Sequence, residues 1–196
     1  MLDFEPATTQ LASLLGGITD DQLDECTPCE HYTVGDLIDH VNGLSLGFAF
    51  AAAKTLPPGG SKAPSGDGSR LAPDWRTRIP AQLKALAEAW RDPAAWEGLT
   101  TIGGVDLPAP VAAGFGLNEC VIHGWDISRA TGQSYAADPA AVAASIELLS
   151  RVGGGHDGNF GPEVEVDAAA PAIDRLIGLS GRDPSWSPRA DDAAKD

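Results

Sequence analysis

Apolar residues recur at steps of three and four in several separate stretches of this 196-residue chain, the period of helices that bury one face. Leu11, Leu14 and Leu15 give a first helix over 6–16. Leu37, Val41, Leu44 and Phe48 give a second, opened by Thr33 with Asp36 three residues on, a capping box with a shortened acid, and running to about Lys54. Leu83, Leu86 and Trp90 define a third, from about Asp74 to Arg91. A fourth starts near Pro108, a good first-turn residue, and stops at Gly132, a good C-terminal cap. Asp138-Pro139 begins a fifth, reaching Ser150, and PAIDRLIGLSG is a last short one.

Between these helices the pattern breaks. Residues 57–70 (PPGGSKAPSGDGSR) are rich in Pro, Gly and Ser and read as a mobile surface loop. Ala94 to Leu107 reads as an irregular loop with room for a short extended piece, and Glu163 to Val166 as a candidate short strand. The tail from Ser187 to Asp196 is expected to be disordered. The fold class is therefore all-α, a helix bundle with long surface loops, occupying residues 1–186 as one domain.

The fourth helix carries the anomaly that points to chemistry. Val111, Phe115, Glu119, Ile122, Asp126 and Ala130 follow one another at steps of four and three, which sets two acids on an apolar stripe. A carboxylate there must protonate, find a partner or bind a metal. His123 shares a helical face with Glu119, four residues away. Far upstream, His40 lies between Leu37 and Leu44 on the apolar side of the second helix. Taken singly, Glu119 with His123 is an exposed helical pair worth only about 0.2–0.5 kcal/mol, and His40 a core histidine bonded to some acceptor. Together, two imidazoles and one carboxylate make a three-ligand metal site with an open position, the pattern of a catalytic rather than a structural centre. Asp126, three residues beyond His123, is placed to orient a ligand or an incoming group and is the candidate catalytic residue.

Other candidates carry less. Cys26 and Cys29 form a CxxC pair with His31 nearby, but a zinc knuckle needs a second pair and a redox motif needs a βαβ context. They read as loop cysteines, and Cys120 as a core residue. His156 reads as a solvated loop residue. The five tryptophans read as packing anchors. Phosphate-binding, dinucleotide-binding and nucleophile-elbow motifs are missing.

Charge narrows the partners. Twenty-eight acidic residues oppose 13 basic ones, a net of -15, so the basic footprint for nucleic acid or an anionic membrane is missing. The longest apolar stretch, Val41 to Ala53, is interrupted and too short to span a bilayer. The first residues lack a basic region, so no secretory signal is expected, and three cysteines do not make a disulfide framework. The expected location is the cytoplasm.

The segments TPCEHYTVGDLIDHVNG and NECVIHGWDISRATG, with the ending PAIDRLIGLSGRDPSW, resemble a known family. They are similar to actinobacterial metal-binding proteins related to the mycothiol-dependent maleylpyruvate isomerase N-terminal domain, within the DinB-like superfamily of four-helix-bundle metalloproteins. The resemblance implies that His40, Glu119 and His123 hold a divalent metal, zinc as a rule and nickel as an alternative, with water at the open position. It further implies mycothiol as a cosubstrate and a thiol S-transferase or isomerase activity on an electrophilic small molecule, the thiol being deprotonated on the metal. The partners are thus a small thiol and its electrophile, with no nucleic acid and no membrane, and a homodimer is allowed. Two rival expectations stand beside it: a non-catalytic metal-binding bundle (sensor, carrier or interaction module), and a hydrolase using an activated water. A fourth protein ligand, Cys120 or His31, would favour the non-catalytic one.

Overall fold

The computed structural model describes residues 1–152 and 161–188. Six α-helices account for most of it: α1 Glu5–Gly16, α2 Val34–Ala52, α3 Trp75–Ala89, α4 Ala109–Thr131, α5 Pro139–Val152 and α6 Ala172–Leu179. The first four make the bundle. Helices α1 and α2 each pack against both α3 and α4, so the order around the bundle is α1, α3, α2, α4, while α5 covers α4 and α6 covers α5. The expected all-α class is the observed one.

Local chemistry sets the limits of the two helices that matter most for the site. Thr33 caps α2: its Oγ1 accepts from the Asp36 amide at 3.2 Å, and Asp36 accepts in return from the Thr33 amide at 3.0 Å. This satisfies two donors that the first turn would leave open. Helix α4 ends where Gly132 turns left-handed, at φ 68°. Its second half, from Gly116 onward, is buried almost all round, so the sequence stripe understates how central it is. Close approach of α2 to α4 depends on Gly116, where a Cβ would lie 2.8 Å from the Phe48 ring. That approach puts the middles of the two helices within side-chain reach of each other.

A core of aromatic and aliphatic side chains fills the bundle, with Phe4 stacked on Trp90 at 5.8 Å and Trp96 edge-on to Trp90 at 5.4 Å. Burying each large apolar side chain contributes about 1.5–3 kcal/mol.

Three expectations need correction. The region read as an irregular loop holds an antiparallel hairpin, β1 Leu99–Ile102 and β2 Val105–Pro108, turned at Gly103-Gly104 with positive φ at both glycines. Four-residue strands are too short to show alternation against a background of loop. Glu163–Val166 is not a strand, although the Val164 amide donates to the Gly178 carbonyl at 3.0 Å. The loop over 57–70 is not free: its second half is bonded to α2 and to Tyr32 just before it. His156 and most of the tail, residues 189–196, lie outside the described residues.

Candidate metal centre

Helix α2 supplies His40 and α4 supplies Glu119 and His123, one helical turn apart on the face turned toward α2. One potential ligand atom from each lies within 4.8 Å of the other two. His123 Nε2 is 2.9 Å and His40 Nε2 3.9 Å from Glu119 Oε2, and the imidazole rings meet edge to face with centroids 5.0 Å apart. Donors on one tetrahedral zinc, with bonds of about 2.0–2.1 Å, stand about 3.4 Å from each other. The spacing here brackets that value.

Both imidazoles are oriented from behind. His40 Nδ1 is 2.9 Å from the Pro64 carbonyl, and His123 Nδ1 is 2.9 Å from Asp126 Oδ2. A carbonyl and an ionised carboxylate can only accept, so in each ring Nδ1 donates the hydrogen. In the neutral imidazoles both Nε2 lone pairs are then bare and aimed at Glu119. This is the arrangement that metal-binding histidines ordinarily show, the far nitrogen anchored to an acceptor. The donor set therefore fits a divalent cation.

Asp126 is fully buried and bonded on both sides. Arg182, from the segment after α6, donates its Nε to Asp126 Oδ1 at 2.8 Å and Oδ2 at 3.1 Å, and its Nη1 to the Ser180 carbonyl at 3.1 Å. The guanidinium, only 10% exposed, compensates the acid and keeps it ionised. Asp126 thus acts on the site through His123 and faces no open space.

The electrostatics follow from these contacts. Burial opposes charge on His123, but its bonds to Asp126 and Glu119 outweigh that and push its pKa up to about 9. Burial likewise works against the Glu119 carboxylate, and the two histidines overcome it, holding the group well below the usual carboxylate range. Both shifts favour a proton in the 2.9 Å contact between His123 and Glu119 when no metal is bound. A cation entering there would have to displace that proton, coupling its binding to proton release.

The cysteines are placed otherwise. Cys120 is buried, its thiol pushed up to about 12 by burial, and with Glu119 it borders a small apolar cavity lined by Leu11, Val41, Phe48 and Leu86. Burial also raises the half-buried Cys29, to about 11, despite the neighbouring Arg182 guanidinium. His31 is exposed. Among the described residues, neither Cys120 nor His31 joins the convergent group.

Two contributors to the site, Arg182 and Pro64, are invisible to sequence reasoning. Arg182 lies 56 residues from Asp126 along the chain, and nothing in GRDPSW marks its arginine as buried. A proline carbonyl carries no sequence signal at all.

Comparison with known proteins adds three findings. A sequence model of the mycothiol maleylpyruvate isomerase N-terminal domain matches residues 4–128, which include His40, Glu119, His123 and Asp126 but not Arg182. The uncharacterized proteins Rv0738 and MT0763, from two strains of Mycobacterium tuberculosis, are each 27% identical over 187 residues, covering 93% of this chain and 97% of theirs. Among solved structures, the mycothiol-dependent maleylpyruvate isomerase aligns with a TM-score of 0.58 at 19% identity, over 74% of this chain and 66% of that one. A histidine-to-alanine variant of that enzyme aligns with a TM-score of 0.57 at 17% identity, over the same shares. At these identities the structural match speaks for the shared fold.

Proposed function

The chain belongs to the mycothiol maleylpyruvate isomerase N-terminal domain family, and from that premise we propose that it is a divalent-metal-binding, mycothiol-dependent transferase or isomerase acting on an electrophilic small molecule. The metal is zinc, held by His40, Glu119 and His123. In this reading residues 1–186 act as one domain, which the bonds of Arg182 and Trp186 back to α4, at Asp126 and Arg129, support. The observation that carries the reading is the pair of imidazoles anchored at Nδ1, with both Nε2 atoms turned onto one carboxylate.

His40, Glu119 and His123 would hold a divalent cation whose chemistry would be to favour the thiolate form of a thiol; an unassisted thiol, with a pKa of about 8.5, is only a few per cent ionised at neutral pH. The chain's own residues do the rest. Asp126 holds His123 in one tautomer and one orientation, and Arg182 keeps Asp126 an acceptor. Glu119 contributes the anionic oxygen. His40 and Glu119, 15% and 21% exposed at the side chain, are the two ligands that solvent touches, so the centre would be approached from their side.

The non-catalytic alternative calls for a fourth protein ligand. That Cys120 faces an apolar cavity and His31 faces solvent favours the open, reactive centre. A thermal-shift series tests this: chelator-stripped protein, then zinc, then mycothiol, followed by turnover with a thiol-reactive electrophile. The expected result is stabilisation by zinc, a further zinc-dependent shift with mycothiol, and conjugation. A zinc shift with no response to thiol and no turnover would establish the metal-stabilised bundle instead. Zinc-dependent hydrolysis without thiol would establish the activated-water alternative.

A further inference from the structure

Residues 61–70 lie as a strap along one face of α2, and the contacts are built into the sequence on both sides. Asp36, Asp39, His40 and Gly43 follow at steps of three, one and three on that helix and so share a face. Pro64 seats over Gly43, where a Cβ would come within 2.5 Å of the Pro64 Cβ. Gly66 passes so close to the Asp36 carbonyl that its own Cβ would sit 2.3 Å away. The Gly66 amide donates to the Tyr32 hydroxyl at 3.0 Å, the Asp67 amide to Asp39 Oδ2 at 3.2 Å, and the Gly68 amide to Asp36 Oδ1 at 2.7 Å. Arg70 closes the strap. Its Nε and Nη2 donate to the buried Asp39 at 3.0 and 2.6 Å, and Nη2 also donates to the Ser65 carbonyl.

From this geometry we infer that the strap is a positioning element of the metal centre, with Pro64 its working residue and the Arg70–Asp39 pair its latch. The Pro64 carbonyl, an obligate acceptor, fixes the hydrogen of His40 on Nδ1 and leaves Nε2 bare toward Glu119. Water in its place could accept or donate, and the ring would be free to change tautomer and rotate. Asp36 and Asp39 hold the strap without touching the metal-binding atoms. A loop of Pro, Gly and Ser thereby serves as the outer support of a ligand whose inner contacts come from the bundle.

This rests on the metal-binding reading for its consequence, and the test separates the two. Nitrogen-15 NMR of the metal-free protein at mildly alkaline pH should show His40 as the Nδ1–H tautomer. Arg70→Ala, a change at a half-exposed side chain, should speed amide exchange at Gly66, Asp67 and Gly68 and mix the tautomers. It should also weaken zinc binding about tenfold, toward the low end of what loss of an outer-shell partner costs; Arg70→Lys should restore part of each. Gly43→Val displaces Pro64 directly and should mix the tautomers whether or not the latch is intact. Unmoved amide exchange in Arg70→Ala would overturn the latch. An unchanged tautomer and unchanged zinc affinity in both Arg70→Ala and Gly43→Val would overturn the positioning role. Failure of the wild-type protein to bind zinc would instead count against the metal reading, and the tautomer measurement would still judge the strap.

Discussion

Asp126 is fully buried and its partner Arg182 nearly so, and removing Arg182 leaves the acid buried without compensation. Arg182→Ala should therefore cost about 3–5 kcal/mol in urea unfolding, where a surface arginine costs a fraction of that; a loss below about 1 kcal/mol, the range of exposed pairs, would show the pair to be solvated. Asp126→Asn keeps the shape but loses the obligate acceptor for His123. It should weaken zinc binding roughly 10–100-fold in a chelator competition. His123 itself gives a pH signature. Its folded pKa of about 9 stands above the 6.5 of an ordinary histidine, so the folded, metal-free protein binds that proton more tightly than the unfolded chain does. The resulting stability is complete below pH 6.5 and is lost as pH rises through about 9. A falling midpoint of unfolding across that window, abolished in His123→Gln, is the expected result. Zinc affinity should rise over the same window, because the competing proton leaves. At this scale the sequence exposed His40, Glu119, His123 and Asp126 through their places on helical stripes, whereas Arg182 and Pro64 reach the site only through the fold.

Helix ends were legible because their chemistry is local. The Thr33–Asp36 box and the Gly132 stop lie within a few residues of the boundaries they set. Gly132 adopts φ 68° with open space where a side chain would project, so Gly132→Ala meets no clash and costs only the left-handed backbone. The expected loss is about 1 kcal/mol, with Gly132→Asn closer to wild type; equal stability for all three would contradict the assignment. The β1–β2 hairpin is not legible in the sequence because Leu99 to Ile102 is too brief for a period of two to stand out, even beside the Gly103-Gly104 turn. Residues 57–70 differ from their composition for another reason. Composition reports how easily a chain bends, and Gly66 and Pro64 serve here to fit against α2 rather than to move.

At the scale of the whole molecule, the bundle brings α2 and α4 together from distant parts of the sequence, and that pairing makes the centre. The helical periods foretold four long helices, but not which of them would be neighbours; the resemblance of TVGDLIDHVNG and NECVIHGWDISRATG supplied that. No helix among the described residues is long and apolar enough to cross a membrane. The family match covers the convergent residues and ends at residue 128, before Arg182. Anomalous scattering at the zinc edge, on crystals of the zinc-loaded protein, tests the central claim most directly. The account predicts one cation per chain, about 2.0–2.1 Å from His40 Nε2, His123 Nε2 and a Glu119 oxygen, with one position left to solvent. A cation held elsewhere, or one closed off by a fourth protein ligand, would contradict it.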